Sequence, residues 1–296
     1  LQAHTTYRLP ATAWTVGAVQ ARFEGLSRWH GPRTRRCMRT FLLHLAFAIG
    51  PLFGLLALDS PFGRVVMAAL LFVSVFAFSH DAMHRALGLP RWANEIALSL
   101  GGVVMGVSGA AARALHMVHH ARPGAADDFE GQGSRLGIGQ ALLIAPLAYL
   151  EAPLIAARRA PAGKRRRQIA EWFLVLLFFG VCIASGGASR TYAFVCLGAQ
   201  LTIQVWGSHL PHRAPAALVE LAKAFTWTRS PLLLSFAFHE LHHRRADLSC
   251  FDLAERPRAR VVGARSASAE DRWPRPTNPA ATAPQVPLRS CPSASA

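Results

Sequence analysis

The chain has 296 residues, 52% of them hydrophobic and 16% charged, against a charged share of about 25% in ordinary soluble domains. A formal charge of +16 raises nucleic acid as a partner, but no recognised nucleic-acid module accompanies it and the arginines stand in blocks beside long apolar runs. That arrangement argues against nucleic acid and for cationic flanks that hold membrane spans at an anionic lipid surface. The five cysteines (Cys37, Cys182, Cys196, Cys250 and Cys291) form no C-x-x-C pair, and their odd count without framework spacing argues against a disulfide scaffold.

In chain order, residues 1–40 form a polar, increasingly basic segment that ends in Arg33, Arg35, Arg36 and Arg39. Six apolar runs follow: Phe41 to Leu58, Val65 to Ser79, Ile96 to Ala112, Leu136 to Ala157, Trp172 to Ala188 and Tyr192 to Gly207. A helical span needs roughly 20 mostly apolar residues, so several runs qualify narrowly. The densest cationic stretches, Arg22 to Arg39 and Arg158 to Arg167, are expected on the cytoplasmic side. Runs one and two then make a hairpin, as do runs five and six. Runs three and four lie between two cytoplasmic segments, so each is re-entrant or interfacial or the two cross as a pair; proline in run four and glycine in run three favour the shallow placement. The expectation is therefore an all-α integral membrane protein with about four transmembrane helices, its membrane domain covering residues 41–255. From residue 256 to 296 the composition turns to Pro, Ala, Ser and Arg without apolar periodicity, the signature of a disordered tail.

Most of the 13 histidines fall in three clusters. His80 and His84 occur in HDAMH, His116, His119 and His120 in HMVHH, and His239, His242 and His243 in HELHH. Positions i, i+3 and i+4 share one helix face, so each cluster can aim its imidazoles at one point. Each also follows an apolar stretch, which puts all three at the same membrane face. Imidazole suits zinc, copper, iron and nickel alike; the number of ligands and the membrane setting favour a pair of redox metals over structural zinc. HELHH alone also satisfies the zinc-metalloprotease pattern with Glu240 as base, but that reading leaves five clustered histidines without a role. His4, His30 and His44 read as surface or internally satisfied histidines.

HDAMH, HMVHH and HELHH resemble the three histidine boxes of the membrane fatty acid desaturase superfamily, which includes acyl desaturases, alkane hydroxylases, and carotenoid hydroxylases and ketolases. The resemblance runs in order and spacing from Phe41 to Asp252. It implies a four-span, mushroom-like architecture with a cytoplasmic site for two iron ions, dioxygen as co-substrate, and electrons from a separate ferredoxin- or cytochrome-type donor. The substrate it implies is a lipid or acyl chain, and the location an inner (cytoplasmic) membrane in a bacterium. Gly207 to Arg213 is similar to a G-x-x-L-P-H-R element of bacterial carotenoid ketolases, whose first box also takes the form HDAMH. This resemblance implies His212 as an additional ligand; His209, which has no counterpart in that element, is the alternative.

The chain departs from the family pattern at Phe238, where a tyrosine often precedes the third box, and at Arg244, Arg245 and Ala246, where the family usually continues toward a proline. Asp81, Asp127, Asp128 and Glu240 are the carboxylates expected to accept the free N–H of ligating histidines. The leading expectation is a fatty acid or lipid desaturase. A carotenoid ketolase or hydroxylase comes second, and a membrane metalloprotease is the more distant alternative.

Overall fold

The computed structural model describes residues 37–255. The basic N-terminal segment up to residue 36 and the expected disordered tail lie outside the described residues. Every regular element among those described is helical. Seven longer helices carry the architecture: α1 (Cys37–Ala57), α2 (Pro61–Met83), α3 (Arg91–Met105), α4 (Gly109–Ala121), α5 (Ile138–Arg159), α6 (Ala162–Ser185) and α7 (Gly187–Gln200). Shorter ones follow: α8 (Leu210–Arg213), α9 (Ala216–Ala224), α10 (Pro231–Ala237), α11 (His239–Arg244) and α12 (Cys250–Glu255).

The outward faces are apolar. Phe53, Phe62, Leu143, Phe173 and Leu176 are each more than two-thirds exposed, a pattern that water would penalise and hydrocarbon accepts. Four helices are long and apolar enough to cross a membrane: Arg39–Ala57, Pro61–Met83, Ile138–Arg159 and Ala162–Ser185. The set differs from the sequence expectation, because Ile138–Arg159 qualifies despite Pro146 and Pro153, whereas Gly187–Gln200 is only 14 residues long. That last helix does not stop the chain, however. After a turn at residues 201–202 a π-helical stretch, Gln204–His209, runs directly into α8. Helical structure thus continues, after the turn, as far as Arg213.

The third run is the bent element. α3 and α4 meet at an angle of 100°. Gly106, in the left-handed region at φ 87°, ends α3, and the Ser108 hydroxyl caps α4 by accepting from the Ala111 N–H at 3.1 Å. Gly102 and Gly109 make the crossing possible: a Cβ on Gly102 would strike the backbone of Gly109, and one on Gly109 would strike the carbonyl of Leu98. Glu171 of α6 holds this corner by accepting from Ser108 Oγ (2.6 Å), Ser99 Oγ (2.5 Å) and the Ala110 N–H (2.9 Å). Arg113 of α4 donates to the last carbonyls of α2, those of Ala82 (2.7 Å) and Met83 (2.9 Å), and to Glu95 (2.5 Å). The segments that carry the first two histidine boxes are thereby locked end to end.

Candidate metal centre

All nine histidines singled out in the sequence converge. His80, His84, His116, His120 and His242 form one group, with one ring nitrogen from each lying within 4.8 Å of the others. His119, His212 and His243 form a second group, and His239 joins it at 3.2 Å from His212 and 3.1 Å from His243 (Nε2 to Nε2). The groups adjoin, since the His120 and His243 rings stack with centroids 4.4 Å apart. His212 lies 3.2 Å from His119 (Nε2 to Nε2), whereas the Nδ1 of His209 lies 3.2 Å from the Gly133 carbonyl.

The π-helical stretch accounts for this placement. Its wide turns shift the register of the chain between α7 and α8, as π-bulges do at many functional sites. It is also fastened to the 3-10 turn Glu130–Arg135: Gln204 Oε1 accepts from the Gly133 N–H at 2.8 Å, and Ser208 Oγ from the Ser134 N–H at 3.1 Å. That turn lies beside Asp128 and contains Glu130, the two carboxylates that reach the second box.

Nε2 pairs stand 2.8 Å apart for His84–His116, 3.1 Å for His120–His242 and 3.2 Å for His119–His212. Ligands at right angles around an ion about 2.1 Å from each nitrogen would be about 3.0 Å apart, so the spacing fits a shared cation. The outer ring nitrogens support the same fit. His116 Nδ1 donates to Glu130 Oε1 at 2.6 Å and His119 Nδ1 to Asp128 Oδ2 at 2.8 Å. A proton held on Nδ1 leaves the inward Nε2 with a bare lone pair, the tautomer that binds a metal. Asp128 is itself fixed by the backbone N–H groups of Gly124 and Gly131, both at 2.8 Å. Burial opposes ionisation of Asp128, but the hydrogen bond from His119 and these backbone donors hold its carboxyl below the usual range. Burial first, and then neighbouring imidazole charge, pushes His239 well below its ordinary value, His212 down to about 4 and His243 to about 2. These rings are neutral at physiological pH, as ligands must be.

The carboxylates divide differently from the sequence expectation. Asp128 takes the expected role, but Asp127 pairs with Arg122, and Glu240 stands exposed and paired with Arg244 at 2.6 Å. Asp81 accepts from His44 Nε2 at 2.9 Å and from the Cys250 N–H at 3.2 Å, and lies 3.7 Å from His80 Nδ1. His44 is thus a buried, internally satisfied histidine, as expected, and it ties α1 to the first box and to the start of α12. Glu130 was missed. It lies ten residues beyond the last histidine of the second box on a turn with no periodicity, so nothing in the spacing marked it. The metalloprotease alternative loses its base, because Glu240 faces away from the imidazoles that surround His239 and His243.

Beside the first group opens a cavity of about 140 Å³. His80 and His116 stand in its wall, and Phe76, Met83, Met105, Leu115, Phe129 and Ile203 make much of the rest apolar.

Four apolar helices, a bent helical corner and two adjoining imidazole groups define an all-α membrane protein with a histidine-rich site able to hold metal. Comparison with known proteins gives the family: the fatty acid desaturase profile matches residues 59–261, and the chain belongs to that family of membrane oxidoreductases. No curated protein and no solved structure matches the chain.

Proposed function

We propose that the chain is a dioxygen-dependent di-iron oxidoreductase that acts on a lipid-like chain, in the first instance a fatty acid or lipid desaturase. The observation that carries this reading is the pair of adjoining imidazole groups, five rings and four, set against an apolar cavity. His80, His84, His116, His120 and His242 would hold one iron, and His119, His212, His239 and His243 the other. Two irons so held supply the activation of dioxygen needed to oxidise an unactivated C–H bond. The protein's own part is to position and to shield. Asp128 and Glu130 orient His119 and His116, and the apolar wall between Phe76 and Leu115 excludes water from the bound chain. Electrons would come from a separate ferredoxin- or cytochrome-type donor at the cytoplasmic face, which the arginine-dense segments assign to the histidine side. In a bacterium, the bilayer would be the inner membrane.

A carotenoid ketolase or hydroxylase is the second reading, favoured by one observation: His212, in the ketolase-like Leu210-Pro211-His212-Arg213 element, joins the second imidazole group. The test is to purify the protein and measure an iron-to-protein ratio near two, then to express it in a host that makes both carotenoids and ordinary acyl lipids. Mass spectrometry of both pools should show new double bonds in acyl chains; oxygenated carotenoids with unchanged acyl chains would give the second reading. A protein that binds no iron and alters neither pool would refute both.

A further inference from the structure

The cavity is polar on one side. Gln200, Gln204 and Ser208 follow one another at four-residue spacing along its wall, with Glu130 beside them. Much of this polarity is already committed: Gln200 Nε2 donates to the Met105 carbonyl (2.8 Å), and Gln204 and Ser208 hold the Glu130–Arg135 turn. Tyr149, also in the wall, donates its hydroxyl to the Gly106 carbonyl at 2.8 Å. Glu130 differs. It is the one carboxylate among the cavity's lining residues, and a third of its side-chain surface is open. Its Oε1 accepts from His116, while Oε2 meets no donor among the described residues. A carboxylate oxygen left open beside apolar walls is a strong acceptor waiting for a donor, and it repels anions.

We infer that Glu130 is a specificity-determining residue, whose second carboxyl oxygen accepts a hydrogen bond from a hydroxyl on the bound chain next to the metal groups. The substrate class is therefore a neutral apolar chain bearing an alcohol near the site of oxidation. Free acids and phosphates are turned away from that position by the same charge. The inference rests on the function proposed above, since it assumes that the cavity beside His80 and His116 receives the substrate.

Calorimetric titration of the metal-loaded protein in lipid nanodiscs tests it, with empty nanodiscs subtracting simple partition. The probes are 1-dodecanol, dodecane and dodecanoate. Wild type should bind dodecanol about 10-fold more tightly than dodecane, the gain expected of a hydrogen bond to a charged acceptor. Glu130→Gln, which keeps an oxygen for His116, should cut that ratio severalfold and strengthen dodecanoate binding. Glu130→Ala should bring the ratio close to one. A wild-type ratio near one, or a ratio unchanged by both substitutions, overturns the assignment. Iron content and lipid products measured on the same wild-type preparation test the proposed function separately, so iron binding and lipid oxidation without alcohol preference would sink only the role of Glu130.

Discussion

His116 shows how much one side chain is asked to do. Its Nε2 sits 2.8 Å from that of His84, its Nδ1 is held by Glu130, and its ring stands in the cavity wall. Removing any inward imidazole leaves its neighbours converging on an incomplete site. His84→Ala, His119→Ala and His242→Ala should each lose turnover and bound iron, read by metal analysis of the purified variants. His209→Ala, which gives up only a contact with Gly133, should keep both; retention of iron and activity in any of the first three would remove that histidine from the site. Asp128→Asn keeps the side-chain shape but weakens the hold on His119, and should lower metal affinity roughly 10- to 100-fold in competition with a chelator. The histidines were legible because i, i+3 and i+4 spacing on a helix is itself geometry. Glu130 and the His44–Asp81 pair were not, since a turn and a helix from elsewhere in the chain deliver them, and only tertiary folding brings these together.

Among the elements, the α3–α4 corner sets the relation between the first two boxes. Its Gly102–Gly109 crossing leaves no room for a methyl group against backbone. Gly109→Ala should therefore destabilise the protein by about 1–3 kcal/mol, the ordinary cost of overpacking, seen as a lower unfolding midpoint in detergent with reduced iron occupancy. An unchanged midpoint would mean that the corner relaxes freely. The glycines of this run suggest a shallow placement, and the 100° bend fits a re-entrant loop or a broken span alike. α5 was harder to read. It is long and apolar enough to cross, yet the meeting of the second box with His212 requires an even number of crossings between them. Three helices lie in that interval, and α6 and α7 are joined by a tight turn at Gly186 and Gly187, both at positive φ. If that hairpin crosses and returns, α5 stays on one side, the shallow placement expected from its prolines and from the flanking arginines.

For the whole molecule, that parity is directly measurable. Cysteine-accessibility labelling should place positions near Arg122, Arg165 and Arg244 on one side of the membrane and positions near Ser60 and Gly187 on the other. Labelling of Arg165 with Ser60 would make α5 a true crossing and contradict the argument. Stability of the metal-free protein should also depend on acid. His212 and His243, at about 4 and about 2 against an ordinary 6.5, bind fewer protons folded than unfolded. Their contribution is complete above pH 6.5 and drains away as pH falls, toward about 4 for His212 and about 2 for His243. His119 opposes this: burial lowers it, but the Asp128 hydrogen bond and the charges of Glu130 and Asp128 together raise it; His239 and His242 are lowered with the others. The unfolding midpoint of chelator-treated protein should therefore drop between pH 7 and pH 5, and a flat profile would show that the imidazole groups open up without metal.

The two imidazole groups also impose a timetable on synthesis. His80 emerges first and His243 last, 163 positions later, and each group needs residues of the third box. At typical translation speeds of roughly 5–20 residues per second, the first box waits about 8 to 30 seconds for its final partner. During that interval the second group has His119 and His212 at most, and the first lacks His242. Metal capture on the ribosome is therefore disfavoured, and loading belongs to the finished chain. A nascent chain stalled just before His239 should sit in the membrane with its hairpins formed and hold iron no better than a chain whose third box has been replaced by alanines.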